Sequence, residues 1–186
     1  IELISPIESI RRRPGMYFGS VDRAGLHVWA RQALRDASER LGSWLAVRLH
    51  TDGSLELEDD GSSPTSSDAL ERACAELQVP SIFGHLCCLC GAAARLEILV
   101  RQRGEDFALI YVNQALVSRS LADLHDCAPL DHEGMRIRAW PDPTLFTHVQ
   151  LDAGELAELA ESIAGVNAGA RVSFEDRRRA SVQTFV

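Results

Sequence analysis

The stretch Trp44-Leu45-Ala46-Val47-Arg48-Leu49-His50-Thr51-Asp52-Gly53-Ser54-Leu55-Glu56-Leu57-Glu58-Asp59-Asp60-Gly61 decides how the chain is read. Two alternating runs, 44–50 and 54–58, flank Thr51-Asp52-Gly53, and an Asp-Gly pair supplies the positive φ of a tight hairpin turn. Upstream, Leu26, Trp29, Ala30, Ala33, Leu34, Ala37 and Leu41 recur every three or four residues. That spacing predicts an amphipathic helix over 24–41, bounded by Gly42. Earlier still, a short helix opens at Ser5-Pro6 and runs through Arg13, with Pro14-Gly15 read as closing it. Downstream, helices are predicted over 68–77 and about 82–94. A second hairpin covers 96–101 and 107–112, turning at Gly104-Glu105-Asp106. Residues 115–132 read as a short edge strand and loop. A strand over 134–140, a helix over 151–166 and a strand over 171–174 complete the order. Paired strands with helices gathered together give an α+β class: a two-layer α/β sandwich on a mixed, mostly antiparallel sheet.

Composition bounds the function. The chain has 186 residues, 46% hydrophobic and 25% charged, which suits one core and excludes a disordered chain. All 19 basic residues are Arg. Without Lys there is no P-loop and no Schiff-base chemistry. The 27 acidic residues set the net charge at −8, unfavourable for direct nucleic-acid binding. No apolar run approaches the roughly 20 residues of a membrane span, and residues 1–6 lack a signal-peptide layout. Five Cys, three of them within 87–90, point to reduced thiols and a cytoplasmic location.

Several words of the sequence resemble one family. Arg11-Arg12-Arg13-Pro14-Gly15-Met16-Tyr17-Phe18-Gly19 closely resembles the opening motif of the ATPase domain of bacterial type IIA topoisomerases, the gyrase B subunit and its topoisomerase IV counterpart. Gly25-Leu26-His27 is similar to the start of that family's long catalytic helix. The run from His50 to Gly61 is similar to its hairpin and nucleotide loop. Trp140-Pro141-Asp142-Pro143-Thr144-Leu145-Phe146 and Asn167-Ala168-Gly169-Ala170-Arg171-Val172 resemble later elements. The resemblance runs from about Pro6 to Arg177. It implies the Bergerat (GHKL) α/β sandwich, as one domain over residues 1–186.

The resemblance also implies roles, residue by residue. The family's water-activating glutamate is matched by Gln32, an amide that accepts no proton at neutral pH, so general-base help of typically about 10²–10⁴-fold is expected to be missing. The asparagine that holds Mg²⁺ is matched by Asp36, itself a competent oxygen ligand. Asp59 matches the adenine-reading aspartate, Gly61 the glycine that lets the base approach, and Met135 a threonine near the adenine. A carboxylate accepting from the exocyclic amine contributes about 1.5–3 kcal/mol. The Arg and Gly that follow in the family are replaced by Ser62 and Ser63. The Gly-rich phosphate lid is read as deleted near 78–85, where one Gly remains, and no transducer domain is read. ATP or ADP with Mg²⁺ is therefore expected to bind weakly if at all, and hydrolysis is expected to be absent.

Plainer explanations stand beside these. Asp59-Asp60-Gly61 also reads as a retained strand-ending turn. Gln32 and Asp36 read as polar groups lining a vestigial cleft. His85-Leu86-Cys87-Cys88-Leu89-Cys90 contains a CxxC, but a zinc site wants a second ligand pair, so these thiols read as core, as does Trp29. Arg11–Arg13 and Arg177–Arg179 read as solvated charge runs. Three functions follow: a degenerate gyrase-B-like module that binds nucleotide or protein, the ATPase domain of a type IIA topoisomerase subunit, or a structural partner of a topoisomerase subunit.

Overall fold

The computed structural model describes residues 4–64, 66–76, 85–126 and 128–186. The first helix, α1 (Pro6–Arg12), starts where the Ser5 hydroxyl accepts from the Glu8 amide. Pro14 begins a second helix, α2 (Pro14–Phe18), where a closing turn was expected. A proline fits the first helical position because the N–H it lacks would be unpaired there anyway. The long helix α3 (Arg23–Arg40) starts at Asp22, whose carboxylate accepts from the Ala24 and Gly25 amides. Next come the predicted hairpin of β1 (Trp44–Leu49) and β2 (Leu55–Asp59), with Gly53 at φ 82°, and α4 (Ser67–Ala75). The Leu77 end of the predicted 68–77 helix lies outside the described residues.

The helix expected over 82–94 is α5 (Leu86–Gly91) among the described residues, residues 82–84 lying outside them. Ala93 and Ala94 instead open β3 (Ala93–Gln102), because strand pairing overrides the helix preference of Ala. The turn to β4 (Glu105–Val112) is made by Arg103 and Gly104 at positive φ, one residue earlier than expected. The edge strand β5 (Ala115–Ser118), β6 (Gly134–Pro141), α6 (Ala153–Val166) and β7 (Arg171–Asp176) follow. A last strand, β8 (Ser181–Phe185), was not foreseen, since its exposed run carries no buried alternation.

Among the described residues, eight strands form one sheet in the order β5-β4-β3-β6-β2-β1-β7-β8, with β1 and β7 parallel and every other pair antiparallel. The helices cover one face. Leu45, Val47, Leu57, Ile98, Leu109, Ile137, Val172 and Phe174 point into that layer, against Leu26, Trp29, Ala33 and Leu34 of α3. Phe146 packs against α2 and α3, its ring 5.6 Å from that of Phe18 and 6.3 Å from that of Trp29. Arg11 is no solvated charge: its guanidinium donates to Asp142 at 2.6 Å and to Thr144 at 3.1 Å, which pins the Arg-Pro-Gly motif to the Trp-Pro-Asp-Pro turn. Arg178 is likewise engaged, with Asp176 and the Leu151 carbonyl, and Arg177 pairs with Glu175.

The opposite face carries ion pairs. Arg48 donates to Glu56 and Glu58 at 2.7 Å each, and His50 sits 3.1 Å from Glu56. Burial works to raise the Glu56 carboxyl, but His50 and Arg48 outweigh it and hold it at about 2. A carboxyl depressed on folding stabilises the native state above its unfolded value near 4.5, and that contribution is lost as pH falls toward 2. Glu56→Gln is therefore expected to lower stability at pH 7 by on the order of 3 kcal/mol. In urea melts run against pH, the gap from the parent should close between about pH 5 and pH 2. A gap that does not change with pH would show that the depressed carboxyl is not its source.

Candidate functional site

Gln32, Asp36 and Arg40 are four residues apart on α3 and so share one face. That face turns toward α2, the start of α5 and the end of β2. Gln32 donates from Nε2 to the Tyr17 carbonyl at 3.0 Å. Asp36 is 2% exposed, and both its carboxylate oxygens are taken. Oδ2 accepts from the His85 backbone N–H at 3.0 Å, and Oδ1 from His85 Nδ1–H at 2.6 Å. Burial pushes the Asp36 carboxyl up, against the pull of His85 and Arg40.

At the end of β2, Asp59 has no exposed surface. Its Oδ2 accepts from Arg40 Nη2 at 2.7 Å, both side chains being 0% exposed, and its Oδ1 accepts from the Gly61 amide at 3.1 Å. Burial pushes this carboxyl up as well, with Arg40 and Gly61 pulling it back. Met135, fully buried, faces Asp59 across the β2–β6 pair. The backbones press together here. A Cβ on Gly61 would lie 1.9 Å from the Arg40 carbonyl oxygen, and one on Gly134 would lie 2.0 Å from the Asp59 carbonyl oxygen. The Arg40 carbonyl accepts from the Ser62 amide at 3.0 Å, and the Asp60 carboxylate accepts from the Ser43 and Trp44 amides.

The structure thus brings Asp59, Gly61 and Met135 together, and places Gln32 and Asp36 on the adjoining helix face. It adds two residues that the sequence reading missed, Arg40 and His85. The spacing could have found Arg40, because it lies one turn beyond Asp36. Nothing local announces His85 as the partner of a residue 49 positions away. Some groups stay unpaired: Gln32 Oε1, Arg40 Nε and Arg40 Nη1 are buried and have no hydrogen-bond partner among the described residues. The segment 78–85, expected to be what is left of a phosphate lid, lies outside the described residues apart from His85. A cleft of about 950 Å³ lies elsewhere, between the Asp52-Gly53 turn, Trp140 and the start of α6, and shares no residue with this constellation.

Cys87, Cys88 and Cys90 pack in the core beside Cys74. Burial pushes their thiols to about 12, 11 and 12 respectively. Among the described residues no group of three His, Cys, Asp or Glu is placed to hold a metal ion.

Comparison with known proteins agrees with this architecture. The chain is similar to the DNA gyrase B subunit of Thermotoga maritima, 26% identical over 209 positions that cover 100% of this chain and 32% of that protein. It is similar to the DNA gyrase B subunit of Streptococcus pyogenes serotype M18 at 26% over 203 positions, 96% of this chain and 31% of that one. Among solved structures, the crystal structure of the DNA gyrase B subunit from Myxococcus xanthus superposes with a TM-score of 0.83 at 22% identity, over 96% of this chain and 55% of that chain. The chain has the fold of the gyrase B ATPase region and resembles gyrase B subunits in sequence along its length. No family model matches it. The chain spans about a third of the length of the curated relatives it matches. Among its described residues, no helix is long and apolar enough to cross a membrane.

The close approach at Gly61 and Gly134 is testable. Gly134→Ala meets backbone that cannot yield and also a φ of 150°, and Gly61→Ala meets the Arg40 carbonyl, so each should lower the urea midpoint severely. Gly53→Ala sits at positive φ in open space and should cost only about 1–2 kcal/mol. Equal losses at Gly53 and Gly134 would show that the junction yields.

Proposed function

We propose that this domain has kept the gyrase-B-type framework without its ATP chemistry and works as a regulatory module through protein contact. One observation carries this: the α3 face on which the family resemblance places base and metal ligand is occupied by the chain's own atoms. A nucleotide with Mg²⁺ does not fit the residues as arranged. Gln32 offers an amide where a proton acceptor is needed, and its Nε2 is already committed to Tyr17. Asp36 gives both oxygens to His85, leaving Mg²⁺ to compete with two hydrogen bonds on a buried carboxylate. Asp59 gives both oxygens to Arg40 and Gly61.

The shorter chain supports the same reading. The match to the T. maritima protein runs over 209 positions, more than the 186 residues of this chain, and a lid deleted near 78–85 would account for part of that difference. As for partners, the relatives are named as subunits, so a topoisomerase subunit is the first protein to try as a binding partner. The net charge of −8 opposes direct contact with DNA.

The purified chain should show no Mg-ATP hydrolysis above the buffer background in a phosphate-release assay. Gln32→Glu alone should not restore turnover, since Asp36 and Asp59 stay engaged. The second reading, an ATPase domain of a type IIA topoisomerase subunit, is favoured by the retained Asp59 and Gly61. Turnover that disappears in a folded Asp59→Asn variant would establish it and overturn the first.

A further inference from the structure

The least satisfied side chain of this site is Arg40. Its side chain has no exposed surface, yet of its three nitrogens only Nη2 has a partner among the described residues. A guanidinium carries five N–H donors, and leaving several unpaired in the interior is costly. A buried ion pair is in any case weak grounds for stability. What Arg40 does accomplish is geometric. It delivers a planar N–H donor to Asp59 Oδ2 from the side of α3, while Gly61 and Gly134 hold the backbone close around the same residue.

We propose that the Arg40 guanidinium is a built-in ligand of Asp59 at the end of β2, and that the space its side chain fills there would, once that side chain is removed, take a small planar cation of the guanidinium or amidinium kind. This deepens the reading of the same site given above and rests on Asp59 being its recognition group. The carboxylate is buried beside Met135 and the apolar end of the sheet. Without Arg40 it would lose its cationic partner and keep the Gly61 N–H as a donor. The chemistry that best replaces the lost partner is a flat cation offering parallel N–H donors, a geometry that an ammonium ion lacks. In the intact protein the tethered guanidinium outcompetes free ligands because it is already in place, with no association entropy to lose.

The test is chemical rescue of Arg40→Ala in the full chain. Its melting temperature should fall well below that of the parent. Millimolar N-ethylguanidinium should raise it saturably, whereas ethylammonium at the same concentration should not. The parent should show no such rise, and the response should vanish in Arg40→Ala/Asp59→Asn. No rise, or an equal rise in parent and variant, overturns the proposal. If Arg40→Ala fails to fold alone, recovery of a cooperative melt on refolding with N-ethylguanidinium is the expected result. A second measurement needs no variant: the Arg40 Nε proton of the parent should exchange slowly with water in nitrogen-15 spectra and be unmoved by N-ethylguanidinium. Fast exchange would overturn the proposal. None of these measurements contains ATP, so turnover found separately would fell the functional reading while leaving the ligand of Asp59 to be decided by rescue.

Discussion

The buried contact between Arg40 and Asp59 is the constraint around which this half of the molecule is arranged. It joins the last turn of α3 to the last residue of β2, two elements that the chain connects only through the β1–β2 hairpin. The backbones then approach so closely that Gly61 and Gly134 leave no room for a Cβ, and Asp60 turns back to cap the start of β1. Asp36, one turn earlier on the helix, is fixed by the same approach and is satisfied by His85. Three acidic side chains at one junction thus each find donors within the chain.

Energetically the junction is mixed. Desolvation raises both Asp36 and Asp59, so neither carboxylate is as comfortable as Glu56 on the other face of the sheet, where His50 and Arg48 more than offset burial. Among the described residues, Gln32 Oε1, Arg40 Nε and Arg40 Nη1 have no hydrogen-bond partner on this helix face, and nor do His27 Nδ1, Tyr111 Oη and His132 Nε2 elsewhere. Natural interiors leave few such groups, and each calls for an explanation in strain or in function. Those of Gln32 and Arg40 lie on the face where the family resemblance places nucleotide chemistry.

Much of the fold could be read from the sequence, because its signals are local. The hairpin through Asp52-Gly53 and the apolar stripe from Leu26 to Ala37 specify themselves. What escaped depends on distant partners. Pro14 reads equally as a stop or as a helix start, and only the contact of Arg11 with Asp142 settles how the motif sits. Ala93 and Ala94 have helical preferences, yet Ala93 pairs with Pro141 of β6 and the Ala94 carbonyl accepts from the Asn113 amide. β8 has too little apolar alternation to announce an edge strand. At the site, the motif residues Asp59 and Gly61 were legible, while their partners were not. Arg40 reads as one more surface charge ending a helix until the structure shows that it is buried.

The most direct test of the account is the Gly61 amide, which donates to Asp59 beside Arg40. Proton–nitrogen correlation spectra of the labelled full chain, recorded with and without millimolar Mg-ATP, report on that amide and on Met135. A closed, self-satisfied site predicts that neither resonance moves. A saturable shift at both positions would mean that the nucleotide displaces Arg40, and the central claim would be wrong.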